Sequence, residues 1–328
     1  MCASQSAKQC VADPPRNDAV FDDLNFQVAL RCPRCHTDIS SLRCSRCGYE
    51  MRIDRGIVCA LAPERAEHYA QFIHDYERIR EAEGRGSEGD DFYLGLPYRD
   101  ATGRNSRQWQ IRARTYLCFV ENVLAPAMPA GARILDLGAG NCWLSFRLAL
   151  AGFKSVAVDL LTNGHDGLAA GEHYRKSLPA LFPRFQAELV SMPFADGQFD
   201  AAIFNASFHY AEDDVMAMAE ALRCVRPGGM VIISDTPWYW RDEDGKRMVA
   251  ERHAHFLERF GTASACLKSI EYLTDDRLQA LERRLSIRWT IHSPAYGFRW
   301  AMHPTLAKLR HRRAPARFRI YVAQKASK

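Results

Sequence analysis

The sequence predicts an α/β protein in which a mostly parallel sheet is covered by helices on both faces, with a small metal-binding module before it. Between Arg133 and Ser234, short apolar segments alternate with helical ones. Such alternation is typical of parallel strands joined by helices. Nearer the N-terminus, two Cys-x-x-Cys pairs have the spacing of a four-ligand metal site.

Apolar segments at 133–137, 155–159, 185–190, 199–204 and 230–234 are predicted to be the strands of this sheet. Two further segments, 286–292 and 317–323, are predicted to be strands that close it. Helical patterns cover 63–83, 108–124, 241–260 and 275–285. Pro63 has the position expected for the start of a helix.

Length and composition set broad limits on the protein. Its 328 residues favour two domains, and the 47% of hydrophobic residues is ample for a core. No apolar run approaches the roughly 18 residues of a membrane helix. Residues 1–28 lack the apolar core of a secretory signal and are predicted to be a disordered tail. We therefore expect no membrane span and a cytoplasmic location.

The paired cysteines Cys32, Cys35, Cys44 and Cys47 are predicted to bind one structural Zn²⁺ ion. Four thiolates fill a tetrahedral shell and leave no position for a substrate. Disulfides are the alternative, but nothing in the sequence indicates secretion. Residues 47–58 have strand–turn–strand character and resemble the zinc ribbons of the Trm112 type. We expect residues 29–62 to form a separate zinc ribbon whose stability depends on the metal.

The first predicted strand is followed by a glycine turn and a helix that begins near Trp143. The segment Asp136-Leu137-Gly138-Ala139-Gly140 lacks the third glycine of a dinucleotide fingerprint, since Trp143 takes that position. It also lacks the Lys-Ser or Lys-Thr pair of a phosphate-binding loop. What remains is Asp-x-Gly-x-Gly.

Three later segments extend this motif in the same order along the chain. They are Val156–Asp159, the stretch 188–204 with Met192-Pro193-Phe194 and Phe199-Asp200, and the stretch 222–233 with Pro227-Gly228-Gly229. Together the four motifs resemble class I S-adenosylmethionine-dependent methyltransferases, in particular the type 11 group, over residues 119–236. The resemblance implies a Rossmann-like, mostly parallel seven-stranded sheet that ends in an antiparallel hairpin.

The resemblance also implies S-adenosylmethionine as the cofactor and assigns residues to it. Asp136 would anchor the methionyl amine, and Gly138 and Gly140 would let the backbone pass close beneath the cofactor. Asp159 lies about 20 residues past the glycines, where an acid can bind both ribose hydroxyls. A solvated strand end is the alternative for each acid.

The adenine is assigned to the third motif. Glu188 would approach the adenine amino group with the Leu189 N–H nearby, and Met192 would pack on the purine face. Many relatives have a third glycine where this chain has Cys142, which we expect to crowd the turn.

On the acceptor side, Asn205 and His209 follow the fourth predicted strand, at the edge where α/β sheets bind ligands. Asn205 is a candidate to orient the acceptor or contact the cofactor, and His209 is a candidate base. The alternative for His209 is packing beside the cofactor. Asp235, Trp238 and Tyr239, after the fifth strand, are further candidates for the pocket wall.

The remaining segments are assigned by position. Residues 63–118 are predicted to be a helical connector that covers the cofactor, with Tyr93, Tyr98 and Trp109 either over the cofactor or in the core. Residues 119–328 are predicted to be the methyltransferase domain, and residues 237–285 an insertion on its substrate side.

The functional prediction is a methyltransferase whose acceptor is a small molecule, for example a quinone-like biosynthetic intermediate. An RNA methyltransferase is the alternative, because residues 299–319 carry seven basic residues and no acid and lie in a chain whose ribbon is also basic. A second alternative is a non-catalytic binding protein of the same fold. The sequence does not indicate an oligomeric state.

Overall fold

A computed structural model of the protein describes residues 28–327. The predicted tail, residues 1–28, lies outside this range except for Val28, which is buried. No helix within residues 28–327 is long and apolar enough to cross a membrane.

Four short strands form the N-terminal ribbon. Strand β1 (Leu30–Arg31) pairs with β2 (Asp38–Ile39), and β3 (Arg52–Asp54) pairs with β4 (Ile57–Cys59), both antiparallel. Gly56, in the turn between β3 and β4, has a φ of 71°, which glycine adopts without strain.

Three helices connect the ribbon to the first strand of the main sheet. They are α1 (Pro63–Ala82), α2 (Asp90–Gly95) and α3 (Ser106–Phe119), and α3 continues through a π turn, Val120–Leu124. Pro63 occupies the first turn of α1, where its missing N–H costs no hydrogen bond.

Five parallel strands form the centre of the molecule, and two helices follow the first and the fourth of them. The strands are β5 (Arg133–Leu137), β6 (Lys154–Asp159), β7 (Arg184–Gln186), β8 (Phe199–Asn205) and β9 (Val225–Ser234). The helices are α4 (Trp143–Leu150) and α5 (Asp214–Cys224). Strand β7 ends four residues before the predicted boundary, and residues 187–198 form a loop.

The C-terminal part contains three helices and two strands, namely α6 (Asp242–Phe260), α7 (Asp275–Leu285), β10 (Trp289–His292), α8 (Phe298–Leu309) and β11 (Ile320–Gln324). Strand β11 pairs antiparallel with both β9 and β10. Helix α8 lies in the basic segment, where no helix was predicted from the sequence. Pro304 inside it interrupts the usual helical pattern.

The strand order is β10-β11-β9-β8-β5-β6-β7-β4-β3. The first seven strands form the predicted mixed sheet with its antiparallel hairpin. The last two belong to the ribbon, because β4 pairs in parallel with β7. The expectation of a separate ribbon module is therefore wrong: its hairpin extends the main sheet to nine strands.

Both faces of the sheet are buried, so neighbouring residues of one strand enter different cores. In β5, Leu135 and Leu137 pack with the ribbon and helices α5 and α7, whereas Ile134 packs with α3 and α4. This explains why the central strands are almost continuously apolar.

Candidate active site

A cavity of about 750 Å³ opens at the carboxyl ends of β5, β6, β8 and β9. Helices α1 and α3 line one side, and residues of the predicted insertion, including Arg252 and Glu271, line another. This is the edge at which open α/β sheets bind ligands. The volume is within the usual range of ligand pockets, about 300–1,000 Å³.

The glycine turn after β5 forms part of the cavity floor. Gly138 and Gly140 have φ values of 72° and 52°. A Cβ atom on Gly138 would lie 2.3 Å from the Cβ of Ser207, which follows β8. The first glycine is therefore required by the close approach of a neighbouring loop, as well as by the turn itself.

Cys142 does not crowd the cavity, contrary to the expectation from the sequence. Its φ is 63°, and its thiol is fully buried against the carbonyl oxygens of Gly140 and Leu168, at 3.6 and 3.9 Å. The side chain belongs to the buried core and does not line the cavity.

Asp136 is buried at the end of β5 and faces the cavity. One of its carboxylate oxygens, Oδ2, accepts hydrogen bonds from the N–H and hydroxyl of Ser145, at 3.1 and 2.8 Å. Its other oxygen, Oδ1, has no hydrogen-bond partner among the described residues. Burial raises the pKa of Asp136 to about 7. The free oxygen matches the need of a cationic group such as an amine.

Asp159, at the end of β6, holds the glycine turn in place. Its Oδ2 accepts a 2.7 Å hydrogen bond from the N–H of Gly140, and its Oδ1 accepts one of 2.8 Å from Leu161. Burial raises its pKa to about 6 in spite of these bonds. Because it also lines the cavity, Asp159 is placed to accept further hydrogen bonds from a ligand's hydroxyl groups.

The adenine assignments of Glu188 and Met192 are not supported by the structure. The Glu188 carboxylate does not line the cavity; it forms a 2.7 Å ion pair with Arg65 of α1 and accepts a hydrogen bond from Tyr69. Met192 is buried in the core next to the ribbon. Leu189 alone of this predicted group lines the cavity.

Asn205 and His209 both line the cavity, as predicted. Asn205 Oδ1 accepts a 3.0 Å hydrogen bond from Ser234. Burial, reinforced by the positive charge of Arg252, lowers the pKa of His209 to about 3. A histidine with so low a pKa is a poor base, so the structure argues against the predicted catalytic role of His209.

Asp235 is better suited than His209 to accept a proton from a ligand. It lies at the end of β9 with a φ of 51°, and its Oδ1 accepts a 2.7 Å hydrogen bond from Thr115 of α3. The Thr115 hydroxyl also contacts the hydroxyl of Tyr296, at 2.7 Å. Asp235 Oδ2 has no partner among the described residues, and burial raises the pKa of Asp235 to about 6. A carboxylate with this pKa can accept a proton near neutral pH.

The aromatic residues proposed from the sequence do not line the cavity. Tyr93, Trp109, Trp238 and Tyr239 are buried in the core, and Tyr98 is half exposed. The aromatic residues that do line it include Phe72 and Tyr76 of α1, Trp143, Tyr210 and Phe318.

Sequence reasoning missed a set of arginines that line the cavity. Three of them are paired with acids: Arg80 with Asp166, Arg85 with Glu83 and Arg252 with Glu271. Arg112 of α3 also lines the cavity. The arginines that recur along α1 and α3 could have indicated a basic cavity wall. The sequence alone does not show which face of each helix meets the sheet.

The four predicted zinc ligands meet in one cluster. The ligand atoms of Cys32, Cys35, Cys44 and Cys47 all lie within 4.8 Å of one another. The sulfur atoms of Cys32 and Cys47 are 3.6 Å apart, and those of Cys35 and Cys44 are 3.5 Å apart. Tetrahedral Zn–S bonds of about 2.3 Å require sulfurs about 3.8 Å apart. The cluster therefore fits a tetrahedral Zn²⁺ ion.

Comparison with known proteins identifies the fold family of the central segment. Residues 135–233 match the family described as "Methyltransferase domain". An arsenite methyltransferase of Aquipseudomonas alcaligenes is 29% identical over 135 residues, which are 38% of this chain and 38% of that protein. A demethylmenaquinone methyltransferase of Beutenbergia cavernae is 32% identical over 111 residues, 33% of this chain and 43% of the relative. The chain thus spans less than half the length of these curated relatives.

Among solved structures, phosphoethanolamine N-methyltransferase 2 of Haemonchus contortus, in complex with S-adenosyl-L-methionine, is similar with a TM-score of 0.49 and 15% identity. The similarity covers 74% of this chain and 61% of that chain. The family match over residues 135–233 and the strand order of the sheet together identify this part of the chain as a methyltransferase-type domain.

Proposed function

We propose that this protein is an S-adenosylmethionine-dependent methyltransferase that acts on a small organic acceptor. The observation that carries the proposal is the convergence of Asp136, Asp159 and the glycine turn on one cavity within a methyltransferase-type domain. The limited volume of the cavity, about 750 Å³, favours a small acceptor; a quinone-like intermediate is one member of that class.

The residues of the cavity fit the cofactor. We assign the cationic amine to the free oxygen of Asp136, the ribose hydroxyls to Asp159, and a wall of the adenine site to Leu189. The positive φ values of Gly138 and Gly140 leave the turn without side chains where the cofactor would pass. The fit does not depend on Glu188 or Met192.

When bound, S-adenosylmethionine supplies a methyl group on a positively charged sulfur that leaves with the bonding electrons. The protein's own task is mainly to position the acceptor and exclude water. We assign Asp235 the proton that the acceptor loses, since its Oδ2 is free and its pKa lies below neutrality. Thr115, whose hydroxyl also contacts that of Tyr296, donates to the opposite oxygen and orients the carboxylate.

Calorimetric titration of the full chain tests the proposal. S-adenosylmethionine and S-adenosylhomocysteine should bind, whereas NADH and ATP should not. Asp159→Ala should weaken binding by about 1.5–3 kcal/mol, the range for hydrogen bonds to a charged group. Asp54→Ala is the matched control, because that carboxylate is exposed in the ribbon hairpin. Tighter binding of NADH, or no binding of either sulfur compound, would refute the proposal.

A further inference from the structure

Arg112 differs from the other arginines deep in the cavity. Its guanidinium lies 4.8 Å from the ring centroid of Trp109 and forms no ion pair or hydrogen bond within residues 28–327. Arg104 and Arg107 also line the cavity but are exposed to water. Arg112 is therefore a cation that is largely withdrawn from solvent and has only a ring face as a partner. A charge in such a place requires an anion to offset the cost of its burial.

The neighbours of Arg112 place it on the acceptor side of the cavity. Arg112 lies on α3 one turn before Thr115, whose hydroxyl donates a 2.7 Å hydrogen bond to Asp235. Its positive charge opposes the rise in the pKa of Asp235 and adds to the fall in the pKa of His209. The guanidinium is thus placed beside the proposed proton acceptor.

We propose that Arg112 binds a carboxylate carried by the methyl acceptor and so brings the acceptor's nucleophilic group to Asp235. This inference rests on the proposed function. A guanidinium stacked on an aromatic ring keeps its N–H edge free, and that edge matches a carboxylate with two parallel hydrogen bonds.

The charge balance favours a carboxylate over a phosphate dianion. Arg80, Arg85 and Arg252 are each neutralised by an acid, so Arg112 is the one deep cavity arginine of the described chain that an acceptor can neutralise. A second negative charge would lie near Asp235 without a partner and would be repelled.

The first experiment separates the acceptor from the cofactor, which carries a carboxylate of its own. S-adenosylhomocysteine is titrated into the wild-type chain, Arg112→Met, Arg112→Lys and the control Arg114→Gln, after circular dichroism has shown that each is folded. All four should bind it with dissociation constants within about threefold. A tenfold loss confined to the Arg112 variants would assign Arg112 to the cofactor's carboxylate and overturn the inference. No binding to the wild-type chain would instead refute the proposed function.

The second experiment identifies the chemical class of the acceptor. The chain saturated with S-adenosylhomocysteine is screened by thermal shift and calorimetry against aromatic and aliphatic carboxylic acids, each with its primary amide and its phosphate monoester analogue. We expect acids to bind at least tenfold more tightly than their amides. Arg112→Met should abolish this difference, and Arg112→Lys should restore part of it, since it keeps the charge but not the two-point geometry.

Three results would overturn the inference. They are a set of acids that binds no better than the amides, a consistent preference for phosphate monoesters, and a preference for acids that persists in Arg112→Met. The control Arg114→Gln should retain the wild-type preference, because Arg114 is an exposed arginine of the same helix that does not line the cavity.

Discussion

Individual residues of the cavity combine structural and functional roles. Asp159 holds the glycine turn through the N–H of Gly140, also accepts a hydrogen bond from the N–H of Leu161, and still faces the cavity. Gly138 is required both by its positive φ and by the proximity of Ser207. A substitution at either position therefore changes the shape of the site as well as its chemistry.

The raised pKa of Asp136 predicts that cofactor binding depends on pH. Below its pKa of about 7 this carboxyl group is protonated and binds a cationic amine poorly. The affinity for S-adenosylhomocysteine should therefore level off towards pH 8 and fall by up to about tenfold per unit below pH 7. Calorimetry between pH 6 and 8 measures this, and a variant of Asp136 separates its effect from that of Asp159, whose pKa of about 6 lies at the lower limit of the range.

Asp136→Asn should flatten that profile and bind more weakly at pH 8. Asp235→Asn, the control, removes a cavity acid outside the assigned cofactor site and should leave the profile unchanged. A wild-type affinity that stays constant between pH 6 and 8 would contradict the assignment of Asp136 to the amine.

The close approach at Gly138 predicts a large loss of stability on substitution. Gly138→Ala should lower the free energy of unfolding by about 3 kcal/mol, through the left-handed backbone and the overlap with Ser207. Gly103→Ala is a matched control, since Gly103 has a φ of 71° but a Cβ atom there would meet no other atom within 4 Å. It should lose only about 1 kcal/mol. Equal losses in urea unfolding would argue against the close approach.

At the scale of secondary-structure elements, the ribbon stabilises the loop that follows β7. The N–H of Arg31 donates to the carbonyl of Pro193, and the N–H of Ala195 donates to that of Ala29. The Ser191 hydroxyl donates a 2.8 Å bond to the carbonyl of Pro33. Leu189 of this loop lines the cavity. We therefore expect a ribbon that loses its structure to disturb the proposed cofactor site.

Helix α1 is anchored at the same place. Arg65 and Tyr69 bind the buried Glu188 carboxylate, and farther along the helix Arg80 pairs with Asp166. These contacts hold the helix across the carboxyl edge of the sheet, where it forms one wall of the cavity. Glu188 thus has a structural role, although it lies in the motif that the family resemblance assigned to the adenine.

The shared loop predicts that zinc removal weakens cofactor binding. The purified chain should contain about one zinc ion, and Cys32→Ser with Cys35→Ser should remove it. We expect a lower melting temperature and a fall of about tenfold in affinity for S-adenosylhomocysteine, because the loop of Leu189 loses its support. Elemental analysis, thermal melting and calorimetry measure the three effects.

The control for this prediction is Cys118→Ser with Cys266→Ser, since both cysteines lie outside the zinc cluster. It should keep the metal and the affinity. A zinc-free variant that binds the cofactor as tightly as wild type would show that the ribbon acts independently in spite of the shared sheet.

At the scale of the whole molecule, several arginines of the two basic regions are paired with acids. In the ribbon, Arg31 pairs with Asp196 and Arg34 pairs with Glu64. In the segment 299–319, Arg313 pairs with Glu251 and Arg319 pairs with Asp275. The positive charge available to RNA phosphates is therefore smaller than the sequence suggests.

This pairing predicts weak binding of RNA. The affinity for a fluorescent RNA hairpin should be low, and its log–log salt slope should be about one or less. The triple variant Lys308→Gln, Arg310→Gln, Arg312→Gln removes three basic side chains that make no ion pair within the described chain. It should leave both the RNA signal and the affinity for S-adenosylhomocysteine nearly unchanged. A salt-sensitive, sub-micromolar complex lost in this variant would support the RNA alternative instead.

The sequence by itself determined the features that depend on neighbouring residues. The strand–glycine–helix element around Gly138, the order of the central strands along the chain, and the four cysteines of the ribbon follow from local pattern and spacing, so they were predictable. The family resemblance assigned Asp136, Asp159, Asn205 and Leu189 to the site, and each of them lies at or just after the carboxyl end of a predicted parallel strand.

Only the tertiary structure decided which distant residues meet. Arg65 and Glu188 are 123 positions apart, and Thr115 and Asp235 are 120 positions apart. Such contacts depend on how α1 and α3 pack across the sheet edge, which no local periodicity reports. The packing removes Glu188 and Met192 from the proposed cofactor site, joins the ribbon to the sheet, and leaves Arg112 in the cavity without an acidic partner.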